Sequence, residues 1–238
     1  VIAVLVGSTG LVGRNLLNAL LERPEIEQIF SLQRTLTEPP TARVSRMDLE
    51  STCQAIEAGA AAPWPVGAVF FSCLGTTLKR AGSREAFRAV DHDLVLRIGR
   101  VAALSQASRF VAVSSVGADR TSAFFYTRVK GECEEALTRL GLPQLTIARP
   151  SLLLGSRTDQ RPMEAMAQRL TGRFRSVLET ILSGPLIAYR PIDAATLARR
   201  LVQVAMVPEL ERLVILEGGA LFRTSVESTA PGVSRKLE

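Results

Sequence analysis

Residues 1–13 read VIAVLVGSTGLVG. The first six are apolar and mostly β-branched, the pattern of a strand buried on both faces of a parallel sheet. Glycines then fall at 7, 10 and 13, where the strand gives way to a helical pattern running from about Leu11 to Glu22 and stopping near Pro24. Each glycine has a separate task. The first allows a tight turn, the second lets a pyrophosphate approach the main chain, and the third lets the new helix pack on the sheet. The helix N-terminus offers amide groups and a partial positive charge to phosphate. At a first strand-to-helix junction this spacing points to a dinucleotide, and an ordinary structural turn is the lesser alternative.

The rest of the chain continues the alternation. Strands are predicted at 26–34 (IEQIFSLQR), 42–48 (ARVSRMD), 66–75 (VGAVFFSCLG), 109–117 (RFVAVSSVG) and 145–150 (LTIARP). Helical patterns cover Arg84 to Gln106 and residues 123–140. Beyond Pro150 the pattern loosens. An arginine-rich helix is expected over 161–182, an amphipathic helix over 192–206 and a late strand over 212–219. Strand and helix in alternation predict a Rossmann-type α/β fold, a doubly wound parallel sheet. We read residues 1–238 as one domain, with those after about 150 forming a small C-terminal cap over the substrate.

Composition narrows the function classes. The chain has 238 residues, 47% hydrophobic and 22% charged, which are globular values. Its formal net charge of +6 is scattered, without a basic helix run or an aromatic platform, so nucleic acid is not an expected partner. Three cysteines, Cys53, Cys73 and Cys133, stand in no metal or disulfide spacing, which suggests a reducing compartment and no metal. No apolar run reaches membrane-spanning length. The opening residue already lies in an apolar run, which reads as a chain without a secretory signal that lacks a few leading residues. The expected location is the cytoplasm.

The end of the second strand bears on the cofactor. Many NAD-binding folds place an acidic residue there for the adenosine ribose. This chain has LQRT, with Arg34 and no acid. A guanidinium there suits a 2′-phosphate, so NADP(H) is expected over NAD(H).

One lysine stands out. Of 29 basic residues 26 are arginine, yet FFYTRVKGE (124–132) places Lys130 four residues after Tyr126. One helical turn separates the two, so both can face one crevice. VAVSSVGAD puts Ser114 and Ser115 at the carboxyl end of the middle strand, the edge where open α/β sheets bind ligands. A Tyr hydroxyl beside an ammonium can exchange a proton with a carbonyl or alcohol oxygen, and a serine hydroxyl can hold that oxygen. The compact ammonium of lysine fits a narrow space that a planar guanidinium would not.

These pieces together resemble the atypical members of the short-chain dehydrogenase/reductase superfamily. GSTGLVG, SS and YTRVK match in order, and ARPSLLLG resembles the segment that extended members place near the nicotinamide. CLGTTLKRAGSREAFRAVDHDLVL, SSVGADRTSAFFYTRVKGECEEAL and RPIDAATLARRLV are similar to the Tat-interacting-protein branch, read here as a bacterial member. The resemblance implies that Gly7, Ser8, Thr9, Gly10, Leu11 and Val12 form the phosphate loop and that Arg34 meets the 2′-phosphate. Asp48 and Leu49 would contact adenine. Cys73, Leu74 and Gly75 would line the ribose, and Pro150 and Leu152 would sit by the nicotinamide. Tyr126 and Lys130 match the catalytic pair, with Lys130 also bonding the nicotinamide ribose. For the catalytic serine the resemblance points to Ser115, with Ser114 as the alternative and as a cofactor contact.

The family's relay asparagine is replaced by Asp91, which puts that relay in doubt. The neighbouring His92 reads as structural or solvent-facing. Lys79, Arg80 and Arg157 are candidates for an anionic substrate. The implied activity is NADP(H)-dependent oxidoreduction of a small carbonyl, alcohol or sugar nucleotide. The alternative is an NADP(H)-sensing regulator that presents a surface to a protein partner. A homodimer is one assembly the resemblance allows.

Overall fold

The computed structural model describes residues 1–36, 39–155, 189–208 and 211–223. Seven parallel strands form its sheet: β1 (Ile2–Val6), β2 (Gln28–Gln33), β3 (Val44–Asp48), β4 (Val69–Ser72), β5 (Arg109–Val113), β6 (Leu145–Arg149) and β9 (Leu213–Glu217). Their order is β3-β2-β1-β4-β5-β6-β9. The chain leaves β1 toward one edge and returns through β4 toward the other, so the switch point lies between β1 and β4. A crevice at the carboxyl ends of those strands is where such sheets hold ligands. A short parallel pair, β7 (Leu153–Leu154) with β8 (Ile192–Asp193), stands apart.

The apolar run at the N-terminus becomes the sheet's centre, and Ala3, Val4, Leu5 and Val6 are fully buried. Each strand face has its own core. On one face α1 (Leu11–Leu21) and α7 (Ala194–Ala205) lie together, with Leu16, Leu20, Leu197 and Leu201 packed on Leu5, Phe71 and Val111. On the other, α2 (Leu49–Glu57), α5 (Val95–Leu104) and α6 (Phe125–Thr138) cover Val4, Val6, Phe70 and Phe110. Phe30, Trp64, Phe70 and Phe110 form a row of ring contacts across that layer, with centroids 5.4–6.4 Å apart.

The expected long helix from Arg84 is not one uniform α-helix. After α3 (Leu78–Ala81), α4 (Arg84–Arg88) passes into a π-helical turn, Ala89–Leu94, before α5 begins. A π turn carries a wider ring of backbone bonds and often marks a functional site. Helix α2 was not expected. Asp48 caps it, accepting from the Ser51 amide at 2.8 Å. The helix predicted over 161–182 lies outside the described residues, as does most of the proposed cap.

Candidate functional site

The glycine turn can be tested for fit to a dinucleotide by what a side chain there would meet. Gly7 has φ +85°, and a Cβ on it would come within 2.8 Å of the Cys73 carbonyl oxygen, so β1 and β4 nearly touch through bare backbone. A Cβ at Gly13 would lie 2.7 Å from the Gly7 carbonyl carbon and 2.9 Å from Ser8 Cα. The helix therefore starts directly against the turn. Gly10 occupies the N-cap of α1 with no side-chain cap, and the first turn holds no acidic residue. Nothing on the helix's own side chains competes with an anion for these amides. The cradle fits a pyrophosphate.

A polar triad braces this loop. The Ser31 hydroxyl donates to Ser8 Oγ at 2.8 Å, and Gln33 Nε2 donates to Ser8 Oγ at 3.1 Å. Ser8, Ser31 and Gln33 are all buried. Gln33 Oε1 has no hydrogen-bond donor among the described residues. The sequence carried a signal for this: positions 31 and 33 are polar at a strand's period of two. Arg34, the next residue, is exposed.

The other expected contacts divide. Thr9 and Gly10 are exposed, Leu11 is half-buried and Val12 is in the core. Asp48 is committed to capping α2; the Ser51 amide and hydroxyl hold its carboxyl below the usual range. Leu49 is buried beneath it. Cys73 and Leu74 are half-buried and Gly75 is exposed, directly after β4. Pro150 is buried, while Leu152 is largely exposed. Lys79 and Arg80 are exposed on α3, and Arg157 lies outside the described residues.

Helix α6 presents the Tyr/Lys pair. Tyr126 is half-buried, its ring 5.3 Å from that of fully buried Phe87, which fixes its orientation. Lys130 lies one turn on and is 5% exposed. Gly131 brings α6 onto the turn after the serines: a Cβ there would meet Asp119 Cα at 2.6 Å. The Asp119 amide also donates to the Thr127 carbonyl at 3.1 Å. The serine turn and the Tyr/Lys helix are thus fastened together. Ser115 is half-buried, and its hydroxyl lies 3.4 Å from the Val116 carbonyl. The Ser114 hydroxyl is buried and has no partner among the described residues.

Lys130 has a partner that the sequence did not announce. Its Nζ lies 2.7 Å from Asp91 Oδ1, with side-chain exposures of 6% and 0%. Asp91 Oδ2 accepts from the Thr76 amide at 2.8 Å. Next door, His92 Nδ1 contacts Asp93 Oδ1 at 2.7 Å, a local pairing that matches its structural reading.

No protein-family model matches the chain. It is 36% identical over 185 residues to the mitochondrial protein fmp52 of Emericella nidulans, covering 76% of this chain and 78% of that one. It is 31% identical over 231 residues to mitochondrial fmp52 of Aspergillus fumigatus, covering 92% and 96%. These mitochondrial relatives overturn the cytoplasmic expectation, which rested on cysteine usage, the lack of long apolar runs and the reading of the first residues.

Among solved structures, MoeE5 in complex with UDP-glucuronic acid and NAD is similar with TM-score 0.63 and 13% identity, over 91% of this chain and 76% of that one. The Bordetella bronchiseptica enzyme WbmH in complex with NAD+ gives TM-score 0.63 and 14% identity, over 90% and 74%. At these identities the likeness speaks for the fold alone, the doubly wound α/β sheet described above.

Proposed function

The chain belongs to the Fmp52 family, and on that premise we propose that it is a mitochondrial, NADP(H)-dependent oxidoreductase of the atypical short-chain dehydrogenase/reductase type. Its substrate is a small carbonyl or alcohol, or a sugar nucleotide. The observation that carries this reading is the pairing of half-buried Tyr126 with buried Lys130 on α6. That helix is fastened to the serine turn, at the sheet edge that also holds the glycine cradle. The sugar-nucleotide option draws on solved proteins of this fold that hold UDP-sugars with NAD. The motifs shared with the Tat-interacting-protein branch support placing the chain beside that branch.

The nicotinamide, when bound, supplies or accepts the hydride. The chain's own residues do the rest. Gly7 to Val12 would hold the pyrophosphate, and Arg34 would hold the 2′-phosphate. The Tyr126 hydroxyl would exchange a proton with the substrate oxygen, and the Ser115 hydroxyl would hold that oxygen. Lys130 would hold the nicotinamide ribose.

The test is turnover on a panel of carbonyl and sugar-nucleotide substrates, with NADPH and NADH affinities measured alongside. Arg34→Ala is expected to weaken NADPH about 10- to 100-fold, the loss of a charge-assisted contact, and to leave NADH unchanged. Equal wild-type affinity for both cofactors would remove the NADP(H) assignment. Tight binding without turnover on any substrate would favour the sensing role over the enzyme.

A further inference from the structure

We propose that Asp91 is the positioning residue for Lys130, an ion-pair partner in place of a relay amide. The proposal rests on the reading that Lys130 belongs to the cofactor site. Asp91 sits within the π turn Ala89–Leu94, in the middle of a run that is otherwise α-helical. From there one carboxylate oxygen reaches Lys130 on α6 and the other reaches the Thr76 amide in the loop after β4. One side chain therefore ties three pieces of the site together.

The pair lies beside Gly75, in the loop directly after β4. A Cβ on Gly75, which is exposed, would be 3.4 Å from Asp91 Oδ1 and 3.7 Å from Lys130 Nζ. The two charged atoms stand 2.7 Å apart, and both side chains are buried. Stability alone does not call for such a pair. Desolvating two charges is costly, and apolar residues of similar volume often serve as well or better. What the pair gives is a lysine ammonium held at one point and neutralised by a fixed carboxylate.

Asparagine would keep the size and the Thr76 acceptor but lose the charge. The experiment compares the wild-type full chain with Asp91→Asn, Lys130→Met and the double variant, well below their melting temperatures. NADPH affinity is read by calorimetry and kcat separately from KM by turnover. We expect Asp91→Asn to weaken NADPH or lower kcat about tenfold, the loss of one charge-assisted contact. We expect it to have no further effect once Lys130 is methionine. Non-additivity of this kind separates positioning from general support of the fold. Asp91→Asn equal to wild type in both readouts, or effects that simply add to those of Lys130→Met, would overturn the proposal. If Lys130→Met alone leaves NADPH affinity and turnover intact, the cofactor-site reading fails instead. Should the methionine variant not fold, Lys130→Gln, which removes the charge but keeps a polar tip, takes its place in the cycle.

Discussion

Replacing Gly13 by alanine sets two effects against each other, and the structure decides between them. Gly13 lies inside α1, where alanine should gain about 1 kcal/mol of helix propensity. The new Cβ, however, would stand 2.7 Å from the Gly7 carbonyl carbon and closer still to its oxygen. An unstrained carbon–carbon contact is about 3.5–4.0 Å, so roughly an ångström must be found. The obstructing atoms are backbone and cannot rotate aside. Overpacking costs about 1–3 kcal/mol, and here the upper end applies. The net is a loss of about 1–2 kcal/mol, or a melting point lower by about 2–8 °C for a chain of this size. The displaced turn also misaligns the phosphate amides, so NADPH affinity should fall at least about tenfold. Gly10→Ala is the control. Its backbone is extended and its nearest new contact is 3.3 Å, so folding should be almost unchanged while the cradle narrows. Thermal denaturation and calorimetric titration read both quantities. A Gly13→Ala protein that melts and binds like wild type would refute the reasoning.

Two predictions concern the frame. Arg109 is buried at the start of β5 and donates to the Val204, Ala205 and Val207 carbonyls at the end of α7 and to Gln144. Arg109→Met should cost about 2–5 kcal/mol in urea denaturation because those carbonyls lose their donor, and NADPH affinity should hold, since the strand begins at the far end from the site. A cost below about 1 kcal/mol would contradict this. Burial pushes the thiols of Cys53 and Cys133 up to about 11 and about 12, from a usual value near 9. The stability this implies is present below about pH 9 and is lost as pH rises through 11 to 12. At pH 8 both should resist alkylation in the native protein and react in urea, read by mass spectrometry; rapid native labelling would be the contrary result.

The frame of the molecule was readable because its central strands are apolar throughout, and the glycine spacing marked the first crossover. The Tyr126/Lys130 pair was readable because lysine is rare in this chain. Other features left weaker traces. Helix α2 follows β3 directly, with the strand's last residue Asp48 as its cap, so its pattern at Leu49, Cys53 and Ile56 runs on from a strand without a break. The π turn has no local composition of its own. Asp91 meets Lys130 across 39 positions, and only folding brings them together. Gln33 was passed over for its neighbour Arg34, although strand alternation turns Gln33 inward to Ser8.

The central claim is that α6 presents a proton-exchanging phenol to a substrate on a nicotinamide cofactor. Tyr126→Phe removes one oxygen and keeps the ring against Phe87. The account predicts that kcat falls about 100-fold or more, the usual contribution of a general acid or base, while NADPH affinity stays within about threefold, less than the loss of one ordinary hydrogen bond. Turnover equal to wild type in the phenylalanine variant would contradict it.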